Sequence, residues 1–372
     1  MKKLLRKRTR FKGLTVGLDL HKRRITYSVL NGRGDEKATG DIASDAKELA
    51  EFVGKWKAEG EVQFAIEACG CFLWVHDLLA AAIGKERVHV GQPAKVQVIA
   101  KSQEKTDETD AWWLAYLLYE GRLPEAHVAE GVERDLRVAE RELRACVEER
   151  SDLLRRLNSH FAQAGIRIPR SWQGSKEKTA KVRGKLGEVA GERRTACRRL
   201  FARIVKMTRE EKYWRRRMEK LCEGIPEVEI ARRELPGVGR VIGCTVYGEM
   251  GDGRRYYAAK AFARGTGLTP GYRQSGDHKQ GGGIVRAGNH RTRWAFTQAA
   301  KSCLRCKRGA GVQVKAWIER HTRNGRRKKA IVAAARKLAE GYWRLFQYGE
   351  TFDVTKAFPV KGAVLAAAEA GG

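Results

Sequence analysis

The sequence predicts an α/β amino-terminal domain, a long helical middle and a mainly helical carboxy-terminal domain. Three observations predict it. Short apolar runs alternate with helical periodicities up to about residue 125. Strand signals then vanish over a highly charged stretch whose apolar residues recur at threes, fours and sevens. A Gly-rich segment set among helical segments follows. The expected boundaries are a basic arm at 1–12, an α/β domain at 13–125, a helical linker at 126–224, a carboxy-terminal domain at 225–350 and a tail at 351–372.

Within the first domain, Gly13–Leu20 (GLTVGLDL) is an apolar run carrying an acid near its end. Arg24–Leu30 (RITYSVL) alternates as a half-buried strand does, and Asn31-Gly32 gives the turn signal of a hairpin. A third strand is expected at Lys37–Ile42. Ser44 is the expected cap of a helix over Ala46–Lys57, with Leu49, Phe52, Val53 and Trp56 on one face. Val62–Glu67 (VQFAIE) reads as a buried strand ending in an acid. Phe72–Ile83 reads as a helix, Arg87–Val90 as a strand, Pro93 as a helix start and Asp107–Glu120 as the last helix. The order βββαβα, then a strand and helices, is that of an RNase-H-like fold.

In the linker, Leu136, Leu143, Val147, Leu154, Leu157 and Phe161 form an apolar stripe. A second long, very basic helix, interrupted by Gly residues, is expected from about Lys176 to Cys222. Two long antiparallel helices or a coiled-coil arm fit this pattern, acting as a spacer, a dimerisation arm or a nucleic-acid clamp. Beyond it, Leu235–Met250 reads as a turn and helix, Gly265–Asn289 as an ordered functional loop, and Trp294–Arg305, Val312–His321 and Ala330–Gln347 as helices.

Composition restricts the partners. The 372 residues carry Lys+Arg 75 against Asp+Glu 44, a formal charge of +31. With 42% hydrophobic residues there is enough apolar material for a sizeable core, which excludes a disordered chain. A charge surplus of this size calls for an anionic partner, nucleic acid first and a membrane surface second. No apolar run is long enough to span a membrane. Met1–Lys12 holds seven Lys/Arg and no acid, so it reads as a basic arm and not a signal peptide. The eight Cys are unevenly spaced and do not make a secreted disulfide framework, which points to a cytoplasmic protein.

Four carboxylates stand out by placement: Asp19 and Glu67 near strand ends, and Asp107 and Asp110 three apart at a helix start. In an RNase-H-like sheet these positions converge on one edge. Four converging acids repel and call for a cation, and hard oxygen ligands suit Mg²⁺ or Mn²⁺. Taken alone, Asp107 and Asp110 are also explained as favourable charges at a helix N-terminus. LPGVGRVIG, with Gly237, Gly239 and Arg240, departs from the dinucleotide spacing G-x-G-x-x-G. It fits a helix-hairpin-helix-like turn whose amides hold phosphate, or an ordinary helix corner. In GLTPGYRQSGDHKQGGGIVRAGN, Arg273, Lys279 and Arg286 could offset phosphate charge, while Ser275 reads from composition as a turn residue. Cys303 and Cys306 form a lone C-x-x-C within a helix and read as packing thiols; Trp112, Trp113, Tyr116 and Tyr119 read as core.

In combination these motifs are similar to those of bacterial insertion-sequence transposases with a RuvC-like DEDD domain and a C-terminal serine transposase domain. That group is related to Piv-like DNA invertases, and some of its members are guide-RNA-directed recombinases. VGLDLHK resembles the first-Asp strand, IEACG the Glu motif and KTDETDAWWLA, preceded by QPAKVQVIA, the paired-Asp motif. LPGVGRVIG, GLTPGYRQSG and RAGNHRTR resemble the carboxy-terminal transposase domain. Phe72 departs from the polar aromatic common after EACGC. The resemblance implies that Asp19, Glu67, Asp107 and Asp110 bind metal and that Ser275 is a nucleophile forming a phosphoseryl intermediate. It places Gly237, Gly239, Arg240, Arg273, Lys279, Arg286, Asn289 and Arg293 against nucleic acid. It further implies DNA substrates, a structured guide RNA, a homodimer or homotetramer and a cytoplasmic, nucleoid-associated location. Two other readings are a RuvC-like junction nuclease using water as nucleophile, and a non-catalytic nucleic-acid-binding protein.

Overall fold

A computed structural model describes residues 11–99, 106–275, 278–285, 287–322 and 325–360, with the backbone alone over 272–282. Most of the basic arm, Arg286 and the end of the tail lie outside the described residues. The chain divides into two compact units, one ending at Val128 and one beginning at Ala129.

The first unit is built on strands β1 (Leu14–Leu20), β2 (Arg24–Leu30), β3 (Glu36–Ala43), β4 (Val62–Glu67) and β5 (Val88–Gly91). They form one mixed sheet in the order β3-β2-β1-β4-β5. The β1–β2 and β2–β3 pairs are antiparallel; β1–β4 and β4–β5 are parallel. β1 and β4 are buried along nearly their whole length, as expected of central strands covered on both faces. β3 alternates between half-buried and exposed residues and forms the solvated edge.

Helices α1 (Ala46–Ala58), α2 (Phe72–Ile83), α3 (Pro93–Ile99) and α4 (Asp107–Tyr119) complete the unit. Leu49, Phe52, Val53 and Trp56 of α1 bury against Val16, Leu18 and Phe64 of the sheet, as their spacing predicts. The cap of α1 is Asp45 rather than Ser44. Its carboxylate accepts from the amides of Lys47 at 3.0 Å and Glu48 at 2.9 Å. The helix begins at Ala46, so Asp45 is the residue positioned to reach those donors, and its charge also suits the positive helix end.

On α4, Leu114, Leu117 and Leu118 pack with Ala65 and Val96, while Ala115 and Tyr119 pack with Leu30. α4 lies close against the sheet at Gly17. A Cβ built there would lie 2.0 Å from the Ala111 carbonyl oxygen and 2.6 Å from the Ala115 amide nitrogen. Side chains alternate along a strand, so Gly17 and Asp19 share a face; Asp107, Ala111 and Ala115 share a face of α4 at intervals of four. The contact at Gly17 therefore sets where Asp107 stands relative to Asp19.

The second unit contains α5 (Gly131–Gln163), α6 (Lys176–Lys185), α7 (Gly191–Leu221), α8 (Pro226–Glu234), α9 (Arg240–Met250) and α10 (Ala259–Gly265). A hairpin of β6 (Pro270–Ser275) and β7 (His278–Ile284) follows, then α11 (His290–Cys303), α12 (Ala310–Arg320), α13 (Arg327–Tyr348) and α14 (Val354–Ala357). α5 and α7 run antiparallel: Arg150 pairs with Glu211 at 2.9 Å, while Gln163 at the end of α5 meets Arg193 at the start of α7. Leu153, Leu157 and Phe161 bury with Leu200, Phe201 and Ile204, and Trp172 stacks on Phe201 at 5.2 Å. A second core joins α8 to α13 around Phe262, Phe296 and Tyr342.

Two expectations change. The helix expected over Lys176–Cys222 is two helices, α6 and α7. Gly184 and Gly187 weaken helical continuity there, and the chain restarts at Gly191. The Gly-rich segment expected to be a loop is largely the β6–β7 hairpin. Its second strand includes Gly281, Gly282 and Gly283, which lack the β-branched side chains that mark a strand in sequence. Cys222 and Cys244 form a disulfide in the core between α7 and α9; the remaining six cysteines are free, and Cys303 is buried as a packing thiol. Among the described residues no helix is long and apolar enough to cross a membrane.

Gly17→Ala should lower stability by about 1–3 kcal/mol, because the added methyl group has to displace the α4 backbone. Chemical denaturation measures this as a shift in midpoint, and an unchanged midpoint would show that α4 is free to move away from β1.

Candidate functional site

Asp19 lies at the carboxyl end of β1, where only 13% of its side chain is exposed. Burial raises its pKa, the charges of Asp110 and Asp107 add to the rise, and the contact with His21 opposes it. Asp107 opens α4 after its cap, Thr106, whose hydroxyl accepts from the Thr109 amide at 3.2 Å. The Arg24 guanidinium donates to Asp107 Oδ2 and is the main cause of a lowered Asp107 pKa. His21 Nε2 stands between the acids, 3.0 Å from Asp19 Oδ2 and 3.3 Å from Asp107 Oδ2.

Ligand atoms of Asp19, His21 and Asp107 all lie within 4.8 Å of one another. Asp110 follows Asp107 by three residues on α4 and is near enough for its charge to raise the Asp19 pKa. Glu67 ends β4. The parallel register pairs Leu18 with Ile66, so Asp19 and Glu67 each stand one residue further along neighbouring strands, at the same sheet edge. Two oxygen donors and an imidazole, with further carboxylates at the same edge, fit a divalent cation: the oxygens suit Mg²⁺, and an imidazole is also acceptable to Mn²⁺. Burial is the main cause of the raised Asp19 pKa, and repulsion from Asp110 and Asp107, which a cation would relieve, adds to it.

His21 and Arg24 were not singled out by the sequence reading. The signal for His21 was its place in VGLDLHK, two residues past Asp19. Arg24 opens β2, and the antiparallel register, which pairs Leu20 with Ile25, brings it back beside the end of β1.

Ser275 ends β6 and pairs by backbone register with His278, the first residue of β7. Arg273 pairs in the same way with Gln280, and Lys279 with Gln274. Arg286 lies outside the described residues. The LPGVG segment is a short turn between α8 and α9. Gly237 has φ +77°, and a Cβ there would lie 2.2 Å from the Ala299 carbonyl oxygen, so this turn packs directly on α11. Gly239 and Arg240 are exposed at the start of α9.

Asn289 is engaged inside the protein. Its Oδ1 accepts from the amides of Arg291 at 2.9 Å and Thr292 at 3.1 Å, capping α11. Its Nδ2 donates to Glu249 Oε2 at 2.7 Å. Arg293 packs against Gly267 at the foot of the hairpin, with its Nη1 buried. The sequence reading missed the acids beneath these residues. Glu140 of α5 and Glu249 of α9 are 2% and 5% exposed. Arg291 bonds Glu140 and lies 3.9 Å from Glu249; Arg137 and Arg141 stand 3.8 and 3.5 Å from Glu249. Burial still holds the Glu140 pKa above its ordinary value. Glu140 sits among the many charged residues of α5, so no local motif marks it, whereas Glu249 is the one acid of the otherwise mostly uncharged α9.

Two family models match segments of the chain. Residues 16–166 match the IS110-type DEDD model described as "Transposase", and residues 232–315 match the model described as "Transposase IS116/IS110/IS902 family". In order along the chain, these two segments are thus similar to two transposase family models. It is 32% identical over 120 residues to a Sinorhizobium fredii protein named as a transposase (y4pF/y4sB), covering 32% of this chain and 31% of that protein. It is 27% identical over 120 residues to the transposase for insertion sequence element IS1111A of Coxiella burnetii, covering 32% of this chain and 33% of the relative. The matched segment spans about a third of each relative's length. A DEDD transposase domain implies use of a divalent metal.

Arg291→Ala should leave Glu140 buried without its closest counter-charge and cost about 3–5 kcal/mol. Thermal unfolding should show much of the loss recovered in the Arg291→Ala, Glu140→Gln double variant; equal instability of the two variants would reject the ion pair as its cause.

Proposed function

We propose that this protein is an insertion-sequence transposase that cuts and rejoins DNA, with Asp19, Glu67, Asp107 and Asp110 holding Mg²⁺ or Mn²⁺ and Ser275 attacking the phosphodiester. The observation that carries the reading is the meeting of Asp19, His21 and Asp107 at one sheet edge, with Asp110 in electrostatic reach. The strand order β3-β2-β1-β4-β5, with its first three strands antiparallel, supports an RNase-H-like, RuvC-like fold for this unit. The residues of the two matched transposase models include all five residues.

In this reading a bound divalent cation neutralises charge on the scissile phosphate and favours ionisation of the attacking hydroxyl. The chain's own residues do the rest. Asp107, held by Arg24 and near His21, stays ionised and ready to ligate. Ser275, at the end of β6, is presented beside the hairpin turn. Its Oγ forms a bond to phosphorus as one phosphodiester P–O bond breaks; the hydroxyl proton passes to a base and the departing strand oxygen takes up a proton. The phosphoseryl ester keeps the bond energy needed for rejoining. Gly239, Arg240, Arg273, Lys279 and Arg286 contribute to phosphate binding, whereas Asn289 and Arg293 support the foot of the hairpin. A structured guide RNA, assembly into a homodimer or homotetramer, and a cytoplasmic, nucleoid-associated location complete the proposal, as the sequence resemblance implies.

A second reading has one specific observation behind it. The acid cluster lies wholly within the first compact unit, so a junction nuclease using water as nucleophile would need no Ser275.

Asp107→Asn should abolish strand cleavage while leaving DNA binding nearly unchanged; cleavage at the parent rate would reject the metal role. Ser275→Ala should remove the covalent protein–DNA adduct from denaturing gels. Cleavage to free ends, with no adduct in either protein, would favour the nuclease.

A further inference from the structure

α5 and α7 pack against each other but differ in charge. α5 carries seven Lys/Arg and seven Asp/Glu, whereas α7 carries twelve Lys/Arg and four Glu. On a helix turning about 100° per residue, Arg198, Arg199, Lys206, Arg209, Arg216 and Arg217 fall within an arc of roughly 100°. All six are exposed, and the stripe continues to Lys220. The four acids, Glu192, Glu210, Glu211 and Glu219, fall outside that arc. Among the described residues none of the six cations has an acidic partner, whereas the flanking Arg203 and Arg215 are paired with Glu149 and Glu211. Tyr213, 58% exposed, lies in the middle of the stripe.

We propose that this face of α7 is a docking surface for the phosphate backbone of duplex DNA, formed by residues other than those assigned to cleavage. The inference rests on the transposase reading for the presence of DNA, and on the stripe for the place where it lies. From Arg198 to Lys220 the helix rises about 33 Å, close to the ~34 Å of one duplex turn. A straight row of cations suits a stiff duplex, whose persistence length is about 50 nm. The six unpaired cations keep their charge facing solvent, where phosphate binding releases condensed counterions. A single strand would ask for a series of stacking aromatics, and only Tyr213 is offered. A membrane surface would ask for an exposed apolar face, but the apolar residues of α7, including Leu200, Phe201 and Ile204, are buried in the second unit's core.

The test compares the full chain with a Lys206→Gln, Arg209→Gln, Arg216→Gln variant and with an Arg327→Gln, Lys328→Gln, Lys329→Gln variant of equal charge. Binding to a blunt duplex of about three helical turns is followed by fluorescence anisotropy across a salt series in EDTA. With about 0.9 counterions released per phosphate contact, the α7 variant should lose about 2.7 from the slope of log affinity against log salt. The α13 variant should keep the parent slope, and circular dichroism should match for all three. An unchanged slope in the α7 variant, or an equal loss in the α13 variant, overturns the assignment. So does an α7 variant that binds the duplex normally but loses an RNA hairpin or phosphatidylserine vesicles. Binding in EDTA does not depend on the carboxylate site, so failure here is distinguishable from failure of the transposase reading, which the adduct and Asp107→Asn assays report.

Discussion

The approach of α4 to β1 at Gly17 governs the first unit. A glycine on a central strand gives up side-chain packing and costs backbone entropy. Here it allows a helix backbone to lie where a methyl group would overlap the Ala111 carbonyl oxygen. The consequence reaches two residues along the strand and one turn back along the helix, to Asp19 and Asp107. The distance between these acids is thus set by backbone packing in a rigid layer and not by a loop. A site that must hold like charges together needs such a scaffold, because the charges themselves push apart.

Charge is handled differently at the two acid clusters. At the sheet edge, Arg24 and His21 approach acids that remain partly open to solvent, so the cations shown there compensate without closing the site. Beneath α11, Glu140 and Glu249 are nearly sealed and are surrounded by Arg137, Arg141, Arg144 and Arg291. Several of these pairs stand at 3.5–3.9 Å, beyond good hydrogen-bond distance, so the cluster is held by collective charge as much as by directed bonds. Asn289 joins that cluster to the cap of α11, and its backbone N–H donates to the Gly265 carbonyl at 2.7 Å. The foot of the β6–β7 hairpin is thereby tied to two buried acids.

Much of the first unit was legible because its elements announce themselves locally. β1, β2, β4, α1, α2 and α4 follow from apolar period and turn chemistry, and the acids at their ends were visible as departures from that period. His21 and Arg24 were not legible, because a histidine and an arginine beside a strand turn have no periodic signature; only the antiparallel register brings them to Asp107. The hairpin was hidden for a different reason. Its strands are specified by backbone pairing in a Gly-rich stretch, where the side-chain alternation that identifies strands is absent. Glu140 was hidden among the charged residues of α5, since burial of one acid in such a helix depends on which neighbour packs over it.

The charge surplus takes on meaning only after pairing is considered. A formal +31 spread evenly would say little about where an anionic partner lies. The structure uses part of the positive charge internally: Arg137 caps the end of α9 through the Gly248 and Glu249 carbonyls, and Arg144 lies over Trp294 at 4.3 Å. Arg291 neutralises a buried acid. Subtracting such committed residues leaves the α7 stripe as a coherent row whose repulsion nothing within the described helix pair offsets. Like charges aligned on one face weaken a helix, yet α7 tolerates them because its opposite face is fixed by Leu200, Phe201 and Ile204. The apolar face supplies the stability, and the exposed face is left free to carry charge that folding itself does not use.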